Sequence, residues 1–315
     1  MNRLPVIRIG HLRIFDHLML GFAYDGSGAA LLKHTDHLMT AVSFGSWSQI
    51  KQAFCNGDLH GAFLPLPEAM ALFDSGMEIK LVLFDSRPGA YIVGNRAAKV
   101  NKLTDFKGKT VLISNYLSVH NLLFYRLMAS ARLKAGLEND SDADVYIEIV
   151  PPFIVPEMLN NDESNEIGGV FIEEPFGSMV IKNGWGKEIL PSSRIWTSHP
   201  SSVLIIHDYV IKDYRRHLMD IIHLMVASSH FIYKGSEDLY RLSREFFDKF
   251  RRFQDREILE FMFSSFLPNT PNSLMPDTKS LEVINRFMVN DMGIMKNIIY
   301  MDNFVDKSFA IEAGA

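Results

Sequence analysis

A two-lobed α/β protein, each lobe a mainly parallel sheet flanked by helices, is the fold class this sequence predicts. The 315 residues are too many for one ordinary small core and suit two domains of roughly 100–200 residues each. From Val6 onward, short apolar runs alternate with segments of helical spacing, the pattern of βαβ units. Near Asp105 the alternation starts again, as the opening of a second lobe would.

Taken in order, Val6 to Ile9 is an apolar run ended by Gly10, and Asp16 to Leu32 spaces its hydrophobics as a helix does. Ala41 to Phe44 reads as a second strand and Ser48 to Phe54 as a short helix closing at Asn56-Gly57. Leu59 to Leu64 is a third strand, stopped by Pro65 and Pro67, and Lys80 to Phe84 and Ala90 to Val93 add two more. The second unit runs from Phe106-Lys107-Gly108-Lys109 into a strand at Thr110 to Ser114 and a helix from Ser118 to Ala131. A strand at Val145 to Val150 meets Pro151-Pro152, a helix starts near Val155, and the buried strand Gly169 to Ile172 ends at Glu173-Glu174-Pro175. Asn160 to Glu166 is a solvated turn, too short for a linker. Ser202 to Ile206 reads as a strand returning to the first lobe, followed by helices at Tyr209 to Ile232, Ser236 to Phe253 and Arg256 to Phe266. Pro268, Pro271 and Pro276 interrupt the pattern before a last amphipathic helix from Ser280 to Asp291.

Composition narrows the function classes. With 47% hydrophobic and 22% charged residues, the chain sits near the average of soluble globular proteins. Its 32 basic and 37 acidic residues give a net charge of -5, and no Lys/Arg stripe interleaves with aromatics, so nucleic acid is not an expected partner. Cys55 is the only cysteine, which leaves no material for an intrachain disulfide, a Cys-rich zinc site or an iron–sulfur cluster. In MNRLPVIRIGHLRIF, Arg8, His11 and Arg13 interrupt the hydrophobics; taken as a natural start, this is no export signal and points to the cytoplasm. No apolar run approaches the roughly 18 residues of a membrane span.

Four blocks stand in a meaningful order: WSQIKQAFCNGDLHGAFLPLPEAMALFDSGMEIKLVLF, DFKGKTVLISNYLSVHNLLFYRLM, GGVFIEEPFGSMVIKNGWGKEIL and HPSSVLIIHDYVIKDY. Together they resemble the nitrate/sulfonate/taurine-type substrate-binding subunits of ABC importers, over roughly Ile7 to Tyr233. That resemblance implies a periplasmic-binding-protein type II fold. Residues 1–93 and 203–315 would form one discontinuous lobe, 94–202 the inserted second lobe, and two crossover strands the hinge, with the solute held between lobes. It also implies binding without catalysis or cofactor, an ABC permease and ATPase as partners, a monomer, and a periplasmic or extracytoplasmic place of work. A thiamine-pyrimidine-synthase family of the same superfamily carries a cysteine-rich motif, which a chain with Cys55 alone lacks.

In open α/β sheets ligands sit beyond the carboxyl ends of strands, where helix amino termini offer free N–H groups. After the first strand stand Arg13, Phe15, Asp16 and His17, of which Asp16 equally suits a helix cap. Gly45, Ser46 and Trp47 follow the second strand. The glycine admits close backbone approach, and the indole either walls a pocket with an N–H donor or packs between helix and sheet. Pro65, with Leu64, Leu66 and Pro67, lines a wall or makes a structural turn. Asn115, Tyr116, Ser118 and His120 surround a helix start whose partial positive charge suits an anionic group. The plainer account makes Ser118 an N-cap and His120 an exposed first-turn residue. Phe153, after Pro151-Pro152, closes the pocket or packs the core. Glu174 occupies the E-P-F position, for which the resemblance implies a hinge or pocket role, and His199 would lie near the same hinge.

Other patterns carry less. Glu173 and Glu174 are neighbours on an extended segment and point to opposite faces, so they do not form a catalytic pair. His34-x-x-His37 lacks a third metal ligand, and Gly26-Ser27-Gly28 falls too late in a helical segment for a dinucleotide loop. No phosphate-binding G-x-x-x-x-G-K-[ST] or nucleophile-bearing G-x-S-x-G string is present. The expected function is reversible capture of a small anionic or polar organic solute for an ABC-type importer. A cytoplasmic ligand sensor on the same fold and an enzyme of the same superfamily are the alternatives.

Overall fold

The structure, a computed structural model, describes residues 6–25, 38–85, 89–235, 237–247, 255–266 and 273–315. Two compact units divide the chain: unit 1 comprises Met1–Arg87, Pro200–Arg256 and Asn269–Ala315, and unit 2 comprises Pro88–His199 and Glu257–Pro268. The strands are β1 (Ile7–His11), β2 (Met39–Ser43), β3 (Gly61–Pro65), β4 (Ile79–Phe84), β5 (Ala90–Asn95), β6 (Thr110–Ile113), β7 (Ala135–Leu137), β8 (Val145–Ile149), β9 (Ile167–Glu173), β10 (Gly186–Pro191) and β11 (Ser202–His207). The helices are α1 (Leu18–Asp25), α2 (Trp47–Cys55), α3 (Leu66–Asp74), α4 (Val119–Ser130), α5 (Val155–Asn160), α6 (Phe176–Lys182), α7 (Asp208–Lys234), α8 (Glu237–Phe247), α9 (Arg256–Phe266), α10 (Thr278–Asn290), α11 (Met301–Phe304) and α12 (Ser308–Ala313).

Unit 1 is built on a sheet of order β2-β1-β3-β11-β4. β1 pairs parallel with β2 and β3, whereas β11 runs antiparallel to both β3 and β4. The central strands are near-continuous apolar runs, as strands covered on both faces must be: Ala62 to Leu64 and Val203 to Ile206 are wholly buried. Unit 2 holds the second sheet, ordered β10-β5-β9-β6-β8-β7. Here β6, β7, β8 and β9 pair in parallel, and β5 is antiparallel to β9 and β10. A Cβ on Gly169 would collide with the Val93 carbonyl, so β5 and β9 approach as closely as they do only because β9 carries a glycine there.

The lobe boundaries differ from those read in the sequence. The first, expected at 93/94, falls at 87/88, because β5 takes all its backbone partners from the second sheet. The return, expected at 202/203, falls at 199/200, and the segment 257–268 goes with unit 2 rather than with the other C-terminal helices. Within unit 2, the Lys182 ammonium lies 5.3 Å from the Phe261 ring of α9. The Leu64-Pro65-Leu66-Pro67 stretch is not a simple turn: α3 begins at Leu66 with Pro67 in its first turn, where a missing N–H costs nothing. Short elements also escaped the pattern, namely β7, β10, α6, α11 and α12. Gly26-Ser27-Gly28, His34, His37, Pro268 and Pro271 lie outside the described residues.

Candidate functional site

In unit 1 the antiparallel course of β11 brings its start to the same sheet edge as the carboxyl ends of β1, β3 and β4. His17 lies fully buried at that edge. Its Nδ1 stands 3.0 Å from the Leu12 nitrogen and 3.1 Å from the Leu12 carbonyl, and Nε2 contacts the Ser202 hydroxyl at 2.9 Å. The Ser202 hydroxyl donates to the Asp85 carboxylate, which also accepts the Ser202 N–H at 3.0 Å. Burial, reinforced by the neighbouring His11, pushes the His17 pKa well below the ordinary imidazole value, so the ring is neutral. The Ser202 hydroxyl proton goes to the Asp85 carboxylate and not to the imidazole, so the contact with His17 does not activate a nucleophile.

The other unit-1 candidates surround this relay or support helices. Trp47 is buried edge-on to His17 at 5.4 Å, and its indole N–H has no hydrogen-bond partner; Phe63 lies 4.8 Å from His17 on another side. Arg13 donates to the Phe246 carbonyl and sits 5.7 Å from that residue's ring, which stacks on His11. Phe15 belongs to the buried core. Ser46 caps α2 by accepting the Gln49 N–H at 3.3 Å, and Gln49 returns the favour by accepting the Gly45 N–H at 2.9 Å. Pro65 is buried in register with Ser202.

Unit 2 gathers its polar groups where β6 and β9 end. Ser118 caps α4, accepting the Asn121 N–H at 3.1 Å and donating to the Asn115 carbonyl at 2.8 Å. Asn115 accepts the Leu117 N–H at 2.6 Å, and Asn121 donates to the Tyr116 carbonyl at 2.8 Å. Tyr116 also stands beside Tyr125, whose hydroxyl is pushed up chiefly by burial. His120 is not the exposed first-turn residue of the plainer account: it is buried, its Nδ1 facing Glu173 Oε1 at 3.4 Å, with Phe171 at 5.0 Å and His199 edge-on at 5.6 Å. The Ser114 hydroxyl donates to that same Glu173 oxygen. Glu173 Oε2 and His120 Nε2 are buried with no hydrogen-bond partner.

The neighbouring carboxylate faces elsewhere, as the alternation of a strand requires. Glu174 accepts the Ser178 N–H at 2.7 Å and the Ser178 hydroxyl, serving the first turn of α6. Phe153, half-buried, meets Phe176 edge-on at 5.2 Å. His199 is fully buried and joins His120 through ring contact. In the Ser114–Glu173–His120 group the carboxylate occupies the middle, so this cluster too leaves its serine unactivated.

Sequence reading did not select Asp85 and Ser202 as site residues, since they are 117 positions apart and meet only through β11. The available signal was an acidic residue directly after an all-apolar strand, LVLFD, and Glu173 after GGVFI repeats it. Among the described residues no group of three or more His, Cys, Asp or Glu is placed to hold a metal ion, and no helix is long and apolar enough to cross a membrane. A groove of about 380 Å³ on unit 1, lined by Glu282, Arg286, Ile298 and Tyr300 among others, includes none of the strand-end candidates.

A model of the NMT1-like family matches residues 4–239. The ligand-binding component of an ABC-type import system from Staphylococcus aureus, determined with zinc bound, superposes with a TM-score of 0.81 at 21% identity, covering 98% of both chains. The periplasmic nitrate-binding protein NrtA of Synechocystis PCC 6803 gives a TM-score of 0.79 at 13% identity, over 98% of this chain and 88% of that one. The alkanesulfonate-binding protein SsuA from Xanthomonas axonopodis pv. citri, bound to MOPS, gives 0.77 at 13% identity, over 98% and 100%. At these identities the likeness shows a shared fold, the one the four sequence blocks imply. The nitrate import ATP-binding protein NrtC of Synechocystis is 27% identical over 151 residues, 48% of this chain; the chain spans only 21% of that relative's length.

Proposed function

This chain belongs to the NMT1-like family, and from that premise we propose that it is a solute-binding protein, holding a small polar organic molecule reversibly and delivering it to an ABC-type importer. The observation that carries the reading is the pair of buried atoms without a protein partner, Glu173 Oε2 and His120 Nε2. Each such atom costs the unliganded fold about 1–3 kcal/mol, which a bound polar molecule offsets. Kinship in fold with an ABC-type ligand-binding component and with nitrate- and alkanesulfonate-binding proteins supports the same role. A permease and an ATPase are its partners on this reading, supported by the segment shared with a nitrate import ATP-binding protein. Relatives in fold that are described as periplasmic support an extracytoplasmic place of work.

A thermal-shift screen of the purified chain against sulfonates, nitrate, carboxylates and amino heterocycles tests the proposal, because a ligand specific to the folded state raises the melting temperature by mass action. A saturable shift with the ligand recovered unaltered is expected. Conversion of the ligand would replace the reading with an enzymatic one, and no shift across the panel would remove it.

A further inference from the structure

Resting on the solute-binding reading above, we infer that the solute presents an N–H donor to Glu173, and is a cation or an uncharged amino- or amidino-bearing molecule rather than a bare oxyanion. The Glu173 carboxylate is 2% exposed. One oxygen takes the Ser114 hydroxyl and faces His120 Nδ1, while the other has no protein donor. A carboxylate accepts through both oxygens and donates through neither when ionised, so what completes Glu173 is a donor.

His120 packs against the occupied oxygen of the same carboxylate. Its Nδ1 is turned toward a carboxylate oxygen at 3.4 Å, which aims the other ring nitrogen, Nε2, away from Glu173. That Nε2 is buried and without a partner. The open Glu173 oxygen calls for an N–H donor, such as an amine, an amidine or a guanidine. The Phe171 and His199 rings about His120 suit a planar one.

At Glu173 an oxyanion finds the opposite of what it needs. The positive end of α4 is the feature that would attract it, yet Ser118 caps that end and His120, in its first turn, already faces a carboxylate of the fold. Arg13, the one guanidinium among the candidate residues, is engaged by the Phe246 carbonyl and ring. A second anion brought to Glu173 would be repelled at short range in a poorly screened interior.

The test is isothermal titration of the full chain with benzamidine, methylguanidine and 4-aminopyrimidine against nitrate, ethanesulfonate and acetate, repeated on Glu173→Gln and His120→Gln. Saturable binding of at least one N–H probe, weakened about tenfold or more by Glu173→Gln, is expected. The melting temperature of that unliganded variant should be equal or higher, because a buried charge is gone. Circular dichroism of each variant confirms that it is folded. Oxyanion binding that Glu173→Gln preserves or tightens would overturn this inference while leaving the solute-binding proposal standing. An N–H probe bound equally by wild type and both variants would also overturn it. Binding of neither class by the folded wild type counts against the solute-binding proposal itself, and this inference falls with it.

Discussion

Both sheets end in a buried carboxylate, Asp85 after β4 and Glu173 at the end of β9, and the fold treats the two differently. Asp85 takes two donors from Ser202, its N–H and its hydroxyl, on one oxygen, and that serine also touches His17. Glu173 receives one hydroxyl, faces one imidazole, and keeps its second oxygen without a donor. Each donor that a buried carboxylate gains within the fold contributes to stability and fixes geometry, and a buried oxygen without one raises the energy of the empty protein until something completes it. The contrast lies in the donors each acid receives and not in residue type, since each cluster is one Ser, one His and one acid.

The largest effect expected from this contrast is in the apolar wall of the unit-1 relay. Phe63→Ala, removing a wholly buried ring 4.8 Å from His17, should cost about 3–5 kcal/mol in urea unfolding; a loss no bigger than that of a surface substitution would mean the relay is not packed as described. Ser202→Ala comes next. It strips the hydroxyl joining His17 to Asp85 and should cost about 1–3 kcal/mol. Ser114→Ala should cost less, because Glu173 still faces His120, and the reverse order of those two losses would erase the distinction between the clusters.

Acid should act mainly on unit 1. His17 has a pKa lowered well below 6.5, chiefly by burial, and His60 and His207 are lowered by the same cause. The unfolded chain therefore binds protons that the native one refuses. The stability these rings contribute is complete above the unfolded value of 6.5 and is lost as pH falls below it toward the depressed native values. For His17 the slope is at most about 1.4 kcal/mol per pH unit. Urea midpoints measured between about pH 7.5 and about pH 5.5 should fall for wild type and fall less steeply for His17→Gln; identical slopes would assign the acid sensitivity elsewhere. The smallest expected effect is Ser118→Ala, about 1 kcal/mol from loss of the α4 cap. A larger loss in a calorimetric scan would show that the cap also holds the His120 turn in place.

Periodicity made the long elements legible: the predicted α9 has the observed bounds, and α4 and α7 begin and end within two residues of expectation. It failed where chemistry is local or short. β7 has three residues, too few to show alternation, and α3 hid behind Pro65 and Pro67, which look like a turn until the helix after them is seen. The strand ends were legible as loci, because a run of apolar residues stopped by polar ones says where an edge lies. What each side chain does there was not. Ser46 and Ser118 cap helices, Glu174 serves α6, and Glu173, set aside as half of an unworkable catalytic pair, holds the open acceptor. The partners that decide these roles come from β6, β9 and β11, and no local pattern in the sequence joins them.

The place of β11 in the first sheet bears on the order in which the chain assembles as it leaves the ribosome. Among the described residues β4 has no strand neighbour except β11, apart from a single bridge of Leu81 to Val305, and β11 lies between β3 and β4 although it follows every strand of the second sheet in the chain. While residues up to Pro191 emerge, unit 2 already has its six described strands, whereas the strand that bridges the earlier-made β3 and β4 has not been synthesised. The unit begun second is thus the first able to complete its sheet, and the opening segment must wait with exposed edges during that interval, a stretch of synthesis in which a holding chaperone has most to protect.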